Sequence, residues 1–530
     1  MNTRHELPTL ADAVATHARL TPHRLAVRDS LLSLTWAQWH ERTLRLAAAL
    51  RGMGLKQGDR VGVVAYNRLE WMEIYVAMAQ AGLVVVPLNF RLAPSEMAYI
   101  LEHAEVSAVM AGAEFCAALQ SIHSQLPLAA QSRMIMLPAR ADEALPSGWL
   151  AYEDLLEKAD RSFPFEPVSE RDVCALMYTS GTTGRPKGAI RLHRGSTLMA
   201  YATAVEMGFT REDTGLLVMP LCHANSLYFG NTFIHLGATI IIDDRRSFDA
   251  QAVLATLAQE KVTFTSLVPT HYIMMLALPP EVRQRFDVSR VGKLMISSAP
   301  ARRDTKLAIL EFFPNGKLYE LYGSTEAGWV TLLRPDEQLN KLGSVGREWA
   351  GSGPIALLDE HGHEVADGEV GELFSRTPYG FEGYWKNPEK TAEALKGEGL
   401  SVGDMARRDE DGYIWLVDRK SNMIITGGEN VYPSEVEGVL GAHPAVRDVA
   451  VIGVPHEKWG ETVQAVVVLH EGQSASEQEL RTWCRERLAG YKCPTSVCFI
   501  SEAQMPRTAT GKILHRALRQ MEWQVNREAA

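Results

Sequence analysis

The stretch that decides the fold is residues 178–188, YTSGTTGRPKG, which directly follows the apolar run VCALM at 173–177. It contains three glycines, five hydroxyl side chains, one proline and one lysine. A glycine-rich turn after a strand directs backbone N–H groups at phosphate oxygens, and a lysine adds a positive charge there. A surface turn would not need so many hydroxyl groups. The stretch therefore predicts a phosphate-binding loop on an α/β sheet.

This loop differs from the P-loop of nucleoside triphosphatases, GxxxxGK[ST]. Pro186 stands in place of the second glycine, and Gly188 follows Lys187 where a magnesium-binding hydroxyl is needed. The sequence thus disfavours a GTPase or a P-loop kinase.

Composition narrows the class of protein. The chain has 530 residues, of which 46% are hydrophobic and 22% charged, and its net charge of -10 comes without a dense basic run. We therefore expect several domains, no nucleic-acid partner and no integral membrane association, because no long apolar segment occurs. Six cysteines are scattered without a CxxC pair, so neither a disulfide framework nor a zinc site is indicated. A cytoplasmic location is expected, and a homodimer is left open.

Local patterns indicate the organisation of the chain. Short β-branched runs alternate with helical segments, which predicts parallel sheets covered by helices; the clearest are strands at 60–65, 83–87, 238–243 and 264–268 and helices at 39–53, 94–103 and 250–259. From about residue 359, Asp-Gly and Gly-Gly turns separate charged alternating strands, which predicts a β subdomain. The end of the chain predicts a small α+β domain, read as helix, strand, strand, helix and strand at 434–442, 446–454, 461–470, 476–488 and 496–500.

Five segments in register carry a resemblance to a known family: YTSGTTGRPKG, YGSTE at 322–326, GD at 403–404, DRKSNMIITGGENVYPSEVE at 418–437 and PRTATGKILHR at 506–516. Together they resemble the adenylate-forming (AMP-binding) superfamily, and within it the acyl-CoA synthetases, or acid–CoA ligases. The resemblance implies an α/β multidomain fold, with a large N-terminal domain of two α/β lobes plus a β subdomain and a small mobile α+β C-terminal domain. The implied boundaries are 1–418, with the β subdomain at about 340–418, a hinge at 419–421, and 422–530.

The same resemblance implies a two-step ligase reaction. A carboxylate attacks the α-phosphate of ATP to give an acyl adenylate and pyrophosphate, and the thiol of coenzyme A then displaces AMP. ATP, Mg²⁺ and coenzyme A are therefore expected. Two alternatives remain open, namely a stand-alone adenylating enzyme that loads a carrier protein and a ligase for a carnitine- or betaine-type acid.

The resemblance also carries residue roles onto this sequence. Catalytic roles fall on Lys512, Thr325 and Glu326, with Glu326 as the Mg²⁺ ligand. Binding of ATP and AMP falls on Thr179, Ser180, Gly181, Thr182, Thr183, Gly184, Lys187, Ser298, Ala299, Pro300, Tyr322, Gly323, Ser324, Asp404 and Arg419. The acyl and coenzyme A site is implied at His223, Asn225, Tyr228, Trp329, Gly427 and Gly428, and the hinge at Lys420 and Ser421.

The substrate is less closely defined. The segments expected to line the acyl pocket, 221–233, 297–300 and 322–333, contain no lysine or arginine and no acid except Glu326. A second charge on the substrate would lack a partner in these segments, so a monocarboxylic acid with an apolar or weakly polar body is expected. Aromatic and medium-chain acids both fit. Asn225, Ser226 and Asn231 allow hydrogen-bonding substituents, and a quaternary ammonium stays open because aromatic rings bind such groups.

One competing motif is present. Residues 399–403, GLSVG, fit the GxSxG nucleophile elbow of α/β-hydrolases. That elbow requires a buried strand before the serine and a helix after it, whereas charged segments flank this one. The sequence therefore argues against a hydrolase.

Overall fold

The computed structural model describes residues 6–139, 143–160, 162–179, 186–297, 301–420, 422–426, 429–456, 459–507 and 513–521. Contacts divide the chain into two compact units. The first comprises residues 1–355 and 375–400, and the second comprises residues 356–374 and 401–530. This division does not coincide with the boundary predicted at residue 418, and the hinge at 419–421 stays a prediction.

The elements of the first unit alternate between helices and short strands. Its helices are α1 (Leu10–Leu20), α2 (Trp36–Gly52), α3 (Leu69–Ala81), α4 (Pro94–His103), α5 (Ala113–Ser121), α6 (Leu128–Gln131), α7 (Tyr152–Lys158), α8 (His193–Met207), α9 (Ala224–Leu236), α10 (Ala250–Gln259), α11 (Pro269–Leu276), α12 (Pro280–Arg283), α13 (Arg303–Phe312) and α14 (Pro388–Ala394). Its strands are β1 (Leu25–Arg28), β2 (Ser33–Thr35), β3 (Arg60–Val64), β4 (Val84–Pro87), β5 (Val106–Ala111), β6 (Met134–Met136), β7 (Leu150–Ala151), β8 (Val173–Thr179), β9 (Lys187–Leu192), β10 (Thr214–Leu217), β11 (Thr239–Ile242), β12 (Phe264–Leu267), β13 (Lys293–Ser297), β14 (Lys317–Ser324), β15 (Gly328–Leu333) and β16 (Arg347–Glu348). Strands β19 (Leu395–Lys396) and β20 (Gly399–Leu400) also belong to the first unit, and the limits between the units fall within β17 (Gly353–Leu358) and β18 (Gly371–Arg376).

Two mixed sheets form most of the first unit; the parallel strands that the alternation predicts make up most of each sheet, and antiparallel pairs lie at the edges. One has the order β7-β6-β5-β3-β4-β8-β9 and is parallel except for the antiparallel hairpin of β8 and β9. The other has the order β16-β15-β14-β13-β12-β10-β11-β1-β2, with parallel strands from β14 to β1 and antiparallel pairs at both edges. The two sheets are the two expected α/β lobes.

Helix α3 lies in the interior of the first unit. Nearly every residue of α3 is buried, so its apolar surface is covered all round, as in the interior of a large protein. It ends at Gly82, whose φ of 67° is left-handed and therefore favours glycine. The chain then enters the buried strand β4.

The second unit contains the remaining elements: β21 (Asp404–Arg408), β22 (Ile414–Arg419), β23 (Ile424–Thr426), β24 (Glu429–Val431), α15 (Pro433–Leu440), β25 (Val446–His456), β26 (Gly460–Leu469), α16 (Glu477–Arg485), β27 (Ser496–Phe499) and α17 (His515–Arg519). Strands β24, β23, β26 and β25 form an antiparallel series, and β27 adds to β26 in parallel. The predicted succession of helix, strand, strand, helix and strand is confirmed. In the part of the chain that the structure describes, no helix has the length and apolar character needed to cross a bilayer.

Candidate functional site

The described ends of the glycine-rich stretch belong to the β8–β9 hairpin, with Tyr178 and Thr179 on β8 and Lys187 and Gly188 on β9. Thr179 and Lys187 are the cross-strand pair of this hairpin nearest to its connecting residues. The predicted loop residues Ser180, Gly181, Thr182, Thr183 and Gly184 lie outside the described residues. The hairpin therefore carries a hydroxyl and an ammonium group on the same cross-strand pair.

Glu326 lies buried beside this hairpin. Its Oε1 accepts a hydrogen bond from Thr179 Oγ1 at 3.0 Å and another from the Tyr384 hydroxyl at 2.9 Å. The Nζ of Lys187 lies 4.0 Å from the centroid of the Tyr384 ring. Tyr384 thus links the carboxylate with the cation. We call Thr179, Lys187, Glu326 and Tyr384 the hairpin cluster.

The predicted adenine segment forms the end of β14 and the turn after it. Tyr322 is partly exposed and pairs with Thr331 of β15, and a register shift follows at Gly323. A Cβ on Gly323 would lie 2.3 Å from the carbonyl oxygen of Gly328, so only glycine fits this close approach. The Ser324 hydroxyl accepts from the N–H of Ala327 at 2.9 Å and closes the turn that presents Thr325 and Glu326.

Helix α9 carries the predicted acyl-site residues. His223 caps its N-terminus, and Asn225 Nδ2 donates to Ser297 Oγ at 2.9 Å. His223 Nε2 and Asn225 Oδ1 are buried without a hydrogen-bond partner among the described residues. Burial, helped by the charge of Arg91, lowers the pKa of His223 to about 4, so its imidazole is neutral near pH 7. Ser298, Ala299 and Pro300 lie outside the described residues.

Aromatic side chains form a wall along the same helix. The rings of Tyr228 and Phe229 lie 5.5 Å and 5.4 Å from that of Trp329, which is buried. Trp329 Nε1 donates to Thr203 Oγ1 at 3.0 Å, so its polar group is used within the fold. Burial raises the pKa of the Tyr228 hydroxyl, which stays neutral. We call Tyr228, Phe229 and Trp329 the aromatic wall.

Sequence reasoning missed Arg191 at this wall. Its guanidinium is 1% exposed, lies 5.5 Å from the Tyr228 ring centroid, and donates to the carbonyl oxygens of Glu326 at 3.0 Å and Tyr379 at 2.7 Å. The segments chosen for the pocket did not include β9. The available signal in the sequence was an arginine among the apolar residues of KGAIRL. Tyr384 was missed for a similar reason, because it belongs to a segment outside the recognised motifs.

In the second unit, two further predicted residues lie in contact with each other. Asp404 and Arg419 are paired on β21 and β22, and Arg419 Nε donates to Asp404 Oδ1 at 2.9 Å. Lys420 makes an ion pair of 2.9 Å with Glu372. The predicted residues Ser421, Gly427, Gly428 and Lys512 lie outside the described residues.

The GxSxG match does not have the geometry of a nucleophile elbow. Ser401 is followed by strand β21 rather than by a helix, and its hydroxyl donates to Glu372 Oε1 at 2.7 Å. The serine is therefore engaged in a structural hydrogen bond.

A magnesium ion fits the hairpin cluster without a dedicated protein cage. The described residues contain no group of three or more histidine, cysteine or acidic side chains arranged to hold a metal. Mg²⁺ in nucleotide sites is commonly held by one or two carboxylates together with substrate phosphates and water. The carboxylate of Glu326, which accepts from Thr179 of the hairpin, matches that arrangement.

Comparison with known proteins identifies the family. A family model described as "AMP-binding enzyme" matches residues 14–385, and one described as "AMP-binding enzyme C-terminal domain" matches residues 435–512. The chain belongs to the AMP-binding enzymes. It is an AMP-forming acid–CoA ligase that uses ATP, Mg²⁺ and coenzyme A, as the sequence predicts.

Relatives of this AMP-binding enzyme cover nearly its full length. It is 38% identical to a feruloyl-CoA synthase of Amycolatopsis sp, over 95% of this chain and 96% of that protein. It is 33% identical to an indoleacetate–CoA ligase of Aromatoleum aromaticum, over 97% and 98%. The solved structure of the anthranilate CoA ligase AuaEII with anthranoyl-AMP superposes with a TM-score of 0.85 at 27% identity, over 97% of both chains. These matches confirm the predicted fold class.

Proposed function

We propose that this AMP-binding enzyme activates an aromatic monocarboxylic acid and transfers its acyl group to coenzyme A. The aromatic wall, formed by Tyr228 and Phe229 of α9 and Trp329 of β15, is the observation that carries the proposal, because flat rings pack well against aromatic side chains. The relatives named above are described as acting on feruloyl, indoleacetate and anthranilate substrates, which supports the same class.

In the first half-reaction, the hairpin cluster would serve the adenylation chemistry. Lys187 and the loop at 180–184 would hold the departing phosphates, and Thr325 would donate to the α-phosphate. Glu326 would hold Mg²⁺, which neutralises phosphate charge when bound. A carboxylate oxygen of the acid attacks the α-phosphorus, and the bond to the pyrophosphate oxygen breaks. Lys512 would bridge the two anions, as a positioned ammonium stabilises developing charge.

In the second half-reaction, the coenzyme A sulfur attacks the acyl carbonyl carbon, the thiol proton is lost, and AMP leaves with the electron pair of the carbon–oxygen bond. Asp404 and Arg419 would hold the ribose, and Tyr322 with residues 298–300 would enclose the adenine. Gly427 and Gly428 would leave room for the pantetheine arm. His223 would position the substrate, because its lowered pKa makes it a weak base.

The proposal also covers the domain division, the cellular location and the oligomeric state of the enzyme. The enzyme would divide into domains at 1–418 and 422–530 around a hinge at 419–421, act in the cytoplasm, and form a homodimer. Sedimentation of the purified protein at several concentrations tests the dimer, since a monomer at every concentration contradicts it.

A coenzyme A consumption screen with ATP and Mg²⁺ tests the substrate class. Aromatic, aliphatic, dicarboxylic and betaine acids are compared at equal concentration, with pyrophosphate release measured in parallel. The highest kcat/KM is expected for an aromatic monocarboxylate. A betaine or a simple aliphatic acid as the best substrate contradicts the proposal, and pyrophosphate release without coenzyme A consumption favours the carrier-protein alternative.

A further inference from the structure

A small cavity of ≈ 20 Å³ lies in the first unit, beside α9. Part of its lining is apolar and comes from α1, α3 and β8. Leu227 of α9 is a further apolar lining residue, and the polar part of the lining comes from Arg191, His193, Ser196, Thr197, Tyr228 and Asn231. A space of this size accommodates one water-sized group when polar partners surround it.

Three polar atoms on the lining residues lack partners among the residues that the structure describes: Arg191 Nε, His193 Nε2 and Asn231 Oδ1. The three residues are 1%, 4% and 2% exposed, so bulk solvent does not serve these atoms. Leaving a buried polar atom unpaired costs about 1–3 kcal/mol. Three such atoms on residues that line one cavity favour a hydrogen-bonding group as its occupant.

The donors and acceptors define the chemistry of that group. Arg191 Nε–H is a donor, and Asn231 Oδ1 is an acceptor. Asn231 Nδ2 donates to Ser196 Oγ at 3.4 Å, which leaves Oδ1 for another partner. Burial lowers the pKa of His193 to about 4, so this side chain is neutral near pH 7. A hydroxyl both accepts and donates, and thus satisfies Arg191 and Asn231 together.

Charged groups fit less well. A quaternary ammonium or a protonated amine would meet the guanidinium of Arg191, which already faces the Tyr228 ring at 5.5 Å. A carboxylate accepts only, and it would leave Asn231 Oδ1 without a donor. The cavity therefore selects a neutral hydroxyl oxygen.

Tyr228 connects the cavity with the proposed acyl site, because it belongs both to the cavity lining and to the aromatic wall. Along α9, the eight residues from His223 to Asn231 correspond to an axial rise of about 12 Å. The cavity thus lies toward the far end of the helix from His223.

We propose that this cavity is a subsite for a hydroxyl group at the distal end of the acyl substrate, and that Asn231 and Arg191 determine that specificity. The proposal rests on the proposed function, because it names the substituent of the acid that the same site activates. A water molecule supplies the same oxygen when the substrate has no hydroxyl group, so the two sources must be separated by experiment.

The test compares 3-phenylpropenoic acid with its 2-, 3- and 4-hydroxy derivatives in the full-length enzyme. We expect at least one hydroxylated acid to exceed the parent acid in kcat/KM by about tenfold, the effect of one buried hydrogen bond. In Asn231→Leu this ratio should fall to about one, since the acceptor is lost. Asn231→Ala, which also removes the acceptor, gives the same reading if the leucine variant does not fold.

Thr232→Val is the matched control. Thr232 follows Asn231 on α9 and is equally buried, but its hydroxyl donates to the Tyr228 carbonyl at 2.9 Å and it does not line the cavity. This variant should keep the hydroxyl preference. Equal kcat/KM for all four acids in the unaltered enzyme, or a preference that survives in Asn231→Leu and Asn231→Ala, overturns the subsite and leaves a buried water as its occupant. Failure of the unaltered enzyme to form a thioester with any aromatic acid overturns the proposed function itself.

Discussion

At the scale of single residues, two hydroxyl groups converge on one carboxylate oxygen of Glu326. One of them belongs to Tyr384, at 2.9 Å. A hydrogen bond to a charged group contributes about 1.5–3 kcal/mol, so Tyr384→Phe should slow acid-dependent pyrophosphate exchange by roughly 10- to 100-fold. The phenyl ring retains the contact with Lys187 in this variant.

Tyr272→Phe is the control for that prediction. It removes another buried hydroxyl of the first unit, one that donates to the Met295 carbonyl at 3.0 Å away from the hairpin cluster. Pyrophosphate exchange in the control should stay within about threefold of the unaltered enzyme, as for a change outside the site. Equal exchange rates in the two variants would remove Tyr384 from the site.

Lys187 offers a second test at this scale. In Lys187→Met the apolar stem is kept and the charge opposite Thr179 is lost. We expect a loss of about 1–4 kcal/mol in transition-state stabilisation, seen mainly in kcat/KM for ATP and less in the KM for the acid. Lys390→Met, on α14, should leave both unchanged. ATP kinetics unaffected by Lys187→Met would contradict the phosphate assignment.

The hairpin cluster shows which site residues can be predicted from the sequence and which cannot. Thr179 and Glu326 were named from motifs, and the structure brings them into hydrogen-bond contact. Tyr384 and Arg191 were not named, because their roles depend on which way their side chains point in the folded sheet. No local pattern encodes that direction once the strand or segment is buried on several sides.

At the scale of secondary structure, His193 at the start of α8 makes stability depend on pH. Burial lowers its pKa from 6.5 to about 4, so the folded state binds fewer protons than the unfolded state between these values. Its contribution to stability is present above about pH 6.5 and is lost as pH falls toward 4, by up to about 3 kcal/mol. Urea unfolding at pH 7 and at pH 5 should show the loss, and His193→Asn should reduce it. An identical pH dependence in the variant would contradict this assignment.

Element boundaries were predicted less well than element types. Helix α2 was expected at 39–53 but begins at Trp36, because Thr35 and Gln38 form a capping box that sets its start. Helices α4 and α10 match their predicted ranges, since Pro94 and Asp249 mark their first turns clearly. Capping residues therefore indicate the first residue of a helix, which hydrophobic periodicity alone does not define.

At the scale of the whole molecule, the resemblance predicts that two C-terminal residues serve different half-reactions. Lys512→Ala should lower acyl adenylate formation by roughly a hundredfold or more, yet still convert supplied acyl adenylate to thioester. Gly428→Leu should release pyrophosphate but fail to form the thioester, because a side chain would narrow the path of the thiol. Equal impairment of both halves in both variants would contradict domain alternation.

The domain boundary came from the resemblance rather than from local sequence. Strands on both sides of residue 418 have similar alternating composition, so no change in pattern marks a hinge there. The contact division instead groups residues 356–374 and 401–420 with the C-terminal part of the chain. Domain limits depend on long-range packing, which short motifs do not describe.

The central claim is that the hairpin cluster performs the adenylation half-reaction, and Glu326→Gln tests it most directly. Glutamine retains an oxygen that can accept from Thr179 and Tyr384, so the local fold is kept while the negative charge is removed. The measurement is acid-dependent pyrophosphate exchange beside thioester formation from supplied acyl adenylate, on one preparation. We predict that exchange falls by roughly a hundredfold or more while thioester formation stays within about fivefold. Exchange that persists, or an equal loss of both half-reactions, would contradict the account.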